Sequence, residues 1–504
     1  MLTPNNMFYP LSLVIFFSVY PIMVIGVHNI EEMILTDIFF PLFLSLVSYV
    51  ATFFLIDKIL KNRNKSALIT AVLIIFFFYY GHIFYEYISG KHLFEITIGR
   101  HRFFLPVWTI FFSLIIFYLY RSQKDFTNLV KFFSSLSIFL VLTSLATFFL
   151  NSEETNSQFQ KKFDTKTSSY SSTKVEKLRY PDIYYIILDG YASKDTLFDI
   201  YKFDNSYFYK SLMEKGFYIA EDAKANHSFT YLSLSSSLNM AYMNWLADHK
   251  KPANFKDIGN YISNNLVAKK LKQLGYKYIN FDSSYNPSRK SSIADKTITC
   301  NNINELDRTI LKTTLISPFL LYGDIREGLL CQFEKLSDVD PSSPKFVFNH
   351  IIAPHPPFVF KSNGDAASIN RGLNPWADKD AYIEQLKFIN SKLIESVDSI
   401  ISKSPGSIVI VQSDHGPASS GTEEMLNPSD TLIKERMGIL SAFYFGNNEI
   451  TSKLYKSISP VNSFRLIFSE IFNEKIDLLD DKSYFTPIDG KAPKIFDDVT
   501  HILR

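Results

Sequence analysis

The first 150 residues alternate long apolar runs with short polar breaks. Five runs lie at 8–27, 36–57, 66–88, 103–120 and 128–150. Each is close to the length of about 20 residues that an α-helix needs to cross a bilayer. The N-terminal "MLTPNNM" has no basic residue and four further runs follow the first, so we do not expect a cleaved signal peptide. The pattern predicts a five-helix membrane domain over residues 1–150.

The polar breaks predict the orientation of these helices. The break between the second and third runs carries Lys58, Lys61, Arg63 and Lys65, whereas the break before it carries two glutamates and no basic residue. The positive-inside rule then places the N-terminus in the cytoplasm, although basic residues between positions 91 and 102 oppose this orientation. An odd number of spans predicts a protein of the inner or plasma membrane whose chain beyond residue 150 lies outside the cytoplasm.

The pattern changes twice after the last apolar run. Residues 151–180 are polar, rich in Ser and Thr and almost free of aliphatic side chains, which predicts a flexible linker. From residue 181, short apolar runs such as "DIYYIIL" and "SIVIVQ" alternate with amphipathic stretches of helical period. Strands covered on both faces give such continuous runs. The alternation predicts an α/β/α outer domain over 181–504 with a mostly parallel sheet and helices on both faces.

Charge and cysteine content narrow the picture further. The chain has 52 basic and 50 acidic residues, a net charge of +2, which gives no support for a nucleic-acid partner. Its only two cysteines, Cys300 and Cys331, lie in the region predicted to be outside, where disulfides persist. We hypothesise that they form a disulfide; the alternative is two unpaired, buried thiols. Their spacing does not match a zinc site.

Acidic or imidazole side chains follow three of the predicted strands. Asp189 follows the strand in "YYIILDGYAS", and Asp414 and His415 follow the strand in "SIVIVQSDHGP". His350 and His355 belong to a third stretch, "FNHIIAPHPPF". Ligands of open parallel sheets bind at the carboxyl ends of the strands, so these residues are expected at one edge. The alternative for Asp189 is a purely structural role, because Asp-Gly is a common turn sequence.

A hydroxyl-rich stretch supplies a candidate nucleophile. In "NHSFTYLSLSSSLNM", residues 226–240, Thr230 is expected at or near the N-terminus of a helix, where backbone N–H groups and the helix dipole favour an anion. The alternative is a Ser or Thr side chain that only caps a core helix.

Together, the stretches "ILDG", "SFTYLSLSSS", "APHPPF" and "SDHG", in this order behind five spans, resemble the alkaline phosphatase superfamily. They are most similar to its membrane-anchored, sulfatase-like branch of lipoteichoic acid synthases and lipid phosphoethanolamine transferases. The resemblance covers residues 181–450 by motif and the first 150 residues by topology.

The resemblance implies a role for each candidate residue. Asp189, Asp414 and His415 correspond to metal ligands, and Thr230 corresponds to the nucleophile and a fourth ligand. His355 corresponds to the histidine that contacts the transferred phosphate or the leaving group. Two carboxylates, one imidazole and one hydroxyl suit Zn²⁺ or Mn²⁺ better than Mg²⁺, which prefers all-oxygen octahedral shells. A second metal site would need a further Asp and His set, such as a D-x-x-G-H element, which the sequence lacks between residues 230 and 414, so we expect one divalent metal.

Other polar residues of these stretches are expected to be structural. Ser233 and Ser237 fall in the helix behind Thr230. His350 is interpreted as a packed strand residue, and Arg436 as a surface arginine or an ion-pair partner of a neighbouring acidic residue rather than a phosphate ligand.

The resemblance implies metal-dependent transfer of a phosphoryl-headgroup unit from a lipid donor to a glycan or lipid acceptor of the cell envelope, through a covalent phosphothreonine. A phosphodiesterase or phosphatase that uses water as acceptor is the main alternative. Sulfatase activity is disfavoured because the C-x-P-S-R motif of sulfatases is absent. A non-catalytic membrane receptor or scaffold is a further alternative, disfavoured by the complete set of nucleophile and ligands.

Overall fold

A computed structural model describes residues 7–30, 33–93, 96–152, 180–248, 255–300, 303–319, 323–336, 338–339, 344–368, 374–446, 450–487, 493 and 495–503. The chain divides into two compact units. The N-terminal unit comprises Met1–Thr155 and Ile303–Leu321, and the C-terminal unit comprises Asn156–Asn302 and Tyr322–Arg504. The predicted linker at 151–180 lies outside the described residues except at its two ends. Residues 303–321, which the sequence analysis assigned to the outer domain, belong to the N-terminal unit.

The α-helices are, in chain order, α1 Phe8–His28, α2 Phe39–Leu60, α3 Arg63–Phe78, α4 Tyr80–Ile83, α5 His101–Arg121, α6 Thr127–Ser152, α7 Lys194–Asp199, α8 Ser206–Glu214, α9 Thr230–Asn239, α10 Phe255–Ser263, α11 Leu266–Gln273, α12 Asn286–Arg289, α13 Glu305–Thr313, α14 Gly323–Leu336, α15 Lys379–Lys403, α16 Asp430–Met437 and α17 Pro460–Phe472. A π-helix covers Phe84–Ile88, and 3₁₀ segments cover Leu35–Ile38, Asn244–Asp248, Ser317–Phe319, Pro375–Ala377, Thr422–Leu426, Ile450–Lys453 and Thr500–Ile502.

The strands of the main sheet are β1 Ile183–Leu188, β2 Tyr218–Ile219, β3 Lys277–Phe281, β4 Lys296–Ile298, β5 Lys345–Ile351, β6 Ile408–Gln412 and β7 Ser441–Phe445. Two short antiparallel pairs join His92–Leu93 to Ile96–Thr97 and Tyr484–Phe485 to Asp497–Asp498.

The N-terminal unit contains the apolar helices that the hydrophobic pattern predicts. Among the described residues, four helical segments are long and apolar enough to cross a membrane: Phe8–His28, Leu35–Leu60, His101–Arg121 and Thr127–Leu150. The predicted run at 66–88 corresponds to Arg63–Phe78 and Tyr80–Ile88, which meet at a bend of 46°. The number of spans rises to five if this bent pair counts as one.

The C-terminal unit is built on a seven-stranded sheet in the order β2-β7-β6-β1-β5-β3-β4. Strand β1 pairs in parallel with β5 and β6, and β3 pairs in parallel with β4 and β5. Only β7 runs against its neighbours, pairing antiparallel with β6 and β2. The predicted α/β class with a mostly parallel sheet is therefore confirmed.

Successive side chains of a strand point to opposite faces of the sheet. Both faces carry apolar side chains here, and helices cover both of them. In β1, Ile183, Tyr185 and Ile187 pack into a core with α9, α11 and α17. Tyr184, Ile186 and Leu188 pack into a second core with α14 and α15. The central strand is therefore buried on both sides, which explains its continuous apolar run.

The structure contains the Cys300–Cys331 disulfide bond, with 5.6 Å between the two Cα atoms. Both cysteines belong to the C-terminal unit, although the segment between them includes Ile303–Leu321 of the N-terminal unit. The bond therefore joins the two chain segments on either side of Ile303–Leu321.

Candidate active site

Asp189 lies at the carboxyl end of β1 and is buried. Gly190 after it has φ of +73°, and a Cβ there would lie 2.6 Å from Trp376 Cη2, so both conformation and space require glycine. The Asp189 carboxylate also faces two histidine side chains. Its Oδ2 lies 3.3 Å from His350 Nε2, and its Oδ1 lies 3.9 Å from His415 Nε2. The Asp-Gly sequence thus makes a turn and also places a buried carboxylate at the sheet edge.

Asp414 and His415 lie on the turn after β6, next to β1 in the sheet. Ile187 of β1 pairs with Gln412 of β6, so the turn after β6 and Asp189 lie at the same end of the sheet. Asp414 Oδ1 accepts a hydrogen bond of 3.2 Å from the Gly190 N–H. His415 Nδ1 lies 2.9 Å from the Gly416 carbonyl oxygen. An Nδ1–H that donates to this carbonyl leaves the Nε2 lone pair of a neutral ring directed at the site.

Thr230 is the first residue of α9. The N-cap residue is Phe229, which makes no side-chain capping bond, so Thr230 is not the residue that caps this helix. Thr230 Oγ1 lies 3.0 Å from His415 Nε2, although the two residues are 185 positions apart. By contrast, the hydroxyls of Ser233 and Ser237 bond to backbone carbonyls within or near the helix.

Asp189, Asp414 and His415 could together hold a cation. Each offers one ligand atom, and these atoms lie within 4.8 Å of one another. All three side chains are buried, and Asp189 Oδ1 and Asp414 Oδ2 have no hydrogen-bond partner among the described residues. Buried carboxylate oxygens without partners are costly. Two such oxygens beside an imidazole nitrogen therefore fit a divalent cation, with the Thr230 hydroxyl in reach.

The charges of the site favour the same interpretation. Burial raises the pKa of Asp189, but the nearby His355 and the hydrogen bond with His350 outweigh burial and hold it below its usual range. Burial and the negative charge of Asp189 raise the pKa of Asp414 to about 6. Burial, assisted by the Arg436 guanidinium, lowers the pKa of His415 well below its usual range. The imidazole is therefore neutral at neutral pH, the form that binds metals.

His355 lies on the loop after β5, beside the same residues. Its backbone N–H donates to the Asp189 carbonyl oxygen at 3.0 Å, and its ring packs edge-on against Trp376 with centroids 4.9 Å apart. His355 Nδ1 lies 2.7 Å from the Pro356 carbonyl oxygen. An Nδ1–H donor in that bond makes Nε2 the nitrogen that can exchange a proton with a ligand.

His350 takes part in the site more directly than its sequence position suggests. The side chain is completely buried on β5, as expected for a packed strand residue. Its Nε2 faces Asp189, and its Nδ1 lies 2.8 Å from Ser288 Oγ. A buried imidazole held between a hydroxyl and a candidate metal ligand orients that ligand, as outer-shell partners of metal sites do.

Arg436 is buried at the centre of the site, so its interpretation as a surface arginine was wrong. Its Nε donates to the Ser228 carbonyl oxygen and its Nη1 to the Gly416 carbonyl oxygen, each at 2.8 Å. Its Nη2 lies 2.9 Å from His415 Nε2. Residue Glu435 instead bonds to Tyr201 and Ser419. The guanidinium thus brings a positive charge to the two carboxylates.

His227, three residues before Thr230, is fully buried and packs on the Tyr484 ring. Its Nε2 accepts a hydrogen bond from the Met243 N–H, and its Nδ1 has no partner within the described part of the chain. Burial lowers the pKa of His227 to about 3. Above pH 6.5 the ring is neutral in both folded and unfolded chains, but below it only the unfolded chain binds the proton. Acidification therefore favours unfolding.

We predict that this histidine contributes about 2 kcal/mol of destabilisation at pH 5 relative to pH 7.5. The check is thermal unfolding of the full-length protein and of His227→Phe at both pH values, at one scan rate. The variant keeps a ring against Tyr484 but loses the bond from Met243, so it should be less stable at pH 7.5 and lose less stability on acidification. An equal loss in both proteins would contradict the prediction.

No protein-family model matches this chain, and no curated protein sequence matches it. Several solved structures are similar. The C-terminal periplasmic domain of EptC from Escherichia coli in complex with zinc is 13% identical, with a TM-score of 0.45, and the match covers 65% of this chain and 95% of that one. The integral membrane lipooligosaccharide phosphoethanolamine transferase A from Neisseria meningitidis is 14% identical over 91% of this chain and 94% of its own, with a TM-score of 0.35.

A 2-O GAG sulfatase is 11% identical, with a TM-score of 0.36, over 56% of this chain and 68% of its own. The solved structures similar to this chain thus include phosphoethanolamine transferases and a sulfatase.

Proposed function

We propose that the protein transfers a phosphoryl-headgroup unit from a membrane lipid to a glycan or lipid acceptor of the cell envelope, with Thr230 as the nucleophile. The observation that carries the proposal is the convergence of Thr230 Oγ1, Asp414 Oδ2 and Asp189 Oδ1 around His415 Nε2, at 3.0, 3.2 and 3.9 Å. These groups come from three distant parts of the chain. Packing alone does not explain two buried carboxylates beside a hydroxyl.

The position of Thr230 suits attack on a phosphate. As the first residue of α9, it lies where backbone N–H groups and the positive end of the helix dipole favour an anion. Arg436 adds a full positive charge one hydrogen bond away from His415. Preorganised charge of this kind stabilises the negative oxygens of a phosphoryl group during transfer.

Asp189, Asp414, His415 and Thr230 would hold one divalent metal, which we propose to be Zn²⁺ or Mn²⁺ because the donors are oxygen and nitrogen. When bound, such an ion neutralises charge on the phosphate and lowers the pKa of a neighbouring hydroxyl.

Two displacements complete the proposed reaction. In the first, an oxygen–phosphorus bond forms from Thr230 Oγ1 while the bond from phosphorus to the lipid oxygen breaks. His355 would donate a proton to the leaving lipid alcohol, while Thr230 would release its proton to solvent, from which His355 would be protonated again. In the second, the acceptor oxygen forms a bond to phosphorus while the bond from phosphorus to Thr230 Oγ1 breaks, and the proton that the acceptor hydroxyl loses is matched by the one that restores the threonine hydroxyl. Water in place of the acceptor would give hydrolysis.

The membrane helices bear on where the proposed reaction takes place. We propose that the C-terminal unit lies outside the cytoplasm on the inner or plasma membrane. A donor lipid and an acceptor confined to the same leaflet would meet a tethered active site at high effective concentration. The apolar helices of the N-terminal unit support this arrangement.

The experiment uses the full-length protein in vesicles that contain fluorescent acyl-labelled phosphatidylethanolamine or phosphatidylglycerol. We expect labelled diacylglycerol to form, to stop with a chelator and to resume with Zn²⁺ or Mn²⁺. A headgroup phosphate on a new lipid or glycan identifies transfer, whereas its release into solution identifies hydrolysis. If neither lipid is turned over in a metal-dependent way, in the presence of envelope lipid and glycan extracts, the proposal fails.

Arg436 provides a test of the proposed electrostatics. Arg436→Gln removes the charge facing the phosphate, and we expect kcat/KM to fall about 100-fold, as when one oriented donor is removed from a catalytic site. Arg436→Lys keeps the charge but not the planar fork and should lose less activity. The assay is diacylglycerol release, with metal content and thermal unfolding measured alongside. Unchanged kcat/KM in a folded Arg436→Gln protein would rule out this role.

A further inference from the structure

One segment of the chain, which we call the excursion, belongs to the N-terminal unit although the chain on both sides of it belongs to the C-terminal unit. The chain leaves the C-terminal unit after Asn302, contributes Ile303–Leu321 to the N-terminal unit, and returns at Tyr322. Helix α13, Glu305–Thr313, forms nine of these 19 residues. The two units are therefore connected by the chain at three places, and two of these lie more than 120 residues beyond the linker.

Packing of α13 within the N-terminal unit is apolar and close. Leu306 and Ile310, one turn apart on α13, are buried in a cluster with Ile22 of α1 and with Ile74 and Phe78 of α3. Such spacing at i and i+4 presents one continuous apolar face to the neighbouring helices. The exposed positions of α13 are Glu305 and Lys312, and the Lys312 ammonium lies 5.1 Å from the centre of the Tyr85 ring of the same unit.

The backbone of the excursion also fits closely against α3 and α4. The Leu315 N–H donates to the Phe77 carbonyl oxygen at 2.7 Å. A Cβ at Gly81 of α4 would overlap the Lys312 carbonyl oxygen, so glycine is needed for this approach. The main-chain bond and the glycine contact add specificity to an apolar docking surface.

The disulfide closes the base of the excursion. Cys300 and Cys331 are 31 residues apart, and the excursion lies between them. A covalent link across its two ends restricts the conformations of the segment when it is undocked, which lowers the entropy that docking must overcome. Two hydrophobic anchors and a closed loop thus act on the same segment.

We propose that the loop closed by Cys300–Cys331 is a second attachment of the C-terminal unit to the membrane unit, independent of the linker at 151–180. Its docking partner is the surface formed by Ile22, Ile74, Phe78 and Gly81 of the same chain. The attachment keeps the C-terminal unit on the membrane even when the linker is cut. This inference does not depend on the proposed chemistry.

The test cuts the linker of the full-length protein. A protease recognition sequence is inserted between residues 160 and 170, the protein is reconstituted into vesicles and cleaved, and the vesicles are sedimented in high salt. We expect the C-terminal fragment to sediment with the vesicles, because α13 holds it to the helices of the N-terminal fragment. Release of the fragment from the unsubstituted protein would overturn the proposal.

Variants on both sides of the docking surface identify the contact. Leu306→Asp with Ile310→Asp places carboxylates in an apolar cluster, and we expect the retained fraction to fall about tenfold or more. Gly81→Val acts from the partner surface without altering α13 and should have the same effect. The matched control, Thr309→Ala, changes a position of α13 whose hydroxyl bonds to the Glu305 carbonyl oxygen of the same helix, and it should keep the fragment bound. Retention in both docking variants would also overturn the proposal.

Opening the disulfide tests the closed loop. In Cys300→Ser with Cys331→Ser, or after reduction, the segment between the two ends is free to explore more conformations when undocked. We therefore expect the cleaved fragment to dissociate several-fold faster in repeated sedimentation. An unchanged dissociation rate would show that the disulfide has no part in the attachment. All these sedimentation measurements are independent of enzymatic turnover. The attachment can therefore be disproved while the proposed function holds, and the proposed function can be disproved while the attachment holds.

Discussion

Thr230→Ala is expected to abolish lipid turnover, with a decrease in kcat of about 1,000-fold or more, because no other described hydroxyl takes its place. Thr230 Oγ1 is the hydroxyl that contacts His415 Nε2, whereas the hydroxyls of Ser233 and Ser237 bond to carbonyl oxygens of the backbone. The substitution removes one half-buried hydroxyl from the first position of α9 and leaves the helix in place, since alanine favours helix. Diacylglycerol release from labelled lipid measures the loss.

Two further measurements separate a nucleophile from a residue that only shapes the site. Thr230→Ser keeps the hydroxyl and should retain part of the activity. Intact-mass analysis of the protein after incubation with lipid, followed by peptide mapping, should find a headgroup-phosphate adduct on Thr230. Turnover by Thr230→Ala close to that of the unsubstituted protein, with no adduct in either, would reject the assignment.

The fold could be predicted because its strongest signals are local. Apolar runs of about 20 residues indicate membrane helices, and continuous apolar runs of five or six residues indicate strands buried on both faces. Both faces of β1 are buried, as its run "IYYIIL" predicts. The antiparallel direction of β7 was not predicted, because its run "SAFYF" is as apolar as that of a parallel strand and carries no signal of direction.

Prediction of the site was less complete, for a physical reason. Asp189, Thr230 and Asp414 were named as candidates because each follows a strand or begins a helix, and these are positions where side chains can face a ligand. Arg436 belongs to a short helix before β7, and nothing in its sequence neighbourhood shows that its guanidinium reaches His415. Its partners are carbonyl oxygens and an imidazole 20 to 208 residues away.

The excursion was missed for a similar reason. Helix α13 has the amphipathic pattern of any surface helix, with Leu306 and Ile310 one turn apart. Such a pattern shows which face is buried but not against which unit. A domain boundary drawn from a change in composition assigns all of 181–504 to one domain. The segment that belongs to the N-terminal unit does not differ in composition from the chain around it, so it gives no signal of a boundary.

Removing Asp414 is expected to remove the metal. Asp414→Asn keeps the size of the side chain and its ability to accept a bond from the Gly190 N–H, but replaces an anionic ligand with a neutral one. Because the candidate set offers only two carboxylates and one imidazole besides Thr230, we expect bound metal to fall from about one ion per chain to a small fraction, as loss of a ligand does. Turnover should fall with it by about 1,000-fold or more.

The metal content of the purified protein, measured by elemental mass spectrometry, decides between a ligand and a mere neighbour. Asp282→Asn is a matched control, because Asp282 is also a buried aspartate just after a strand, β3, but is not in the candidate metal group. It should keep its metal. Equal metal content in the Asp414 variant and the control, with both proteins folded, would contradict the proposed centre. Loss of metal only in the Asp414 variant would instead indicate that a cation stabilises the two buried carboxylates, each of which has one oxygen without a hydrogen-bond partner among the described residues.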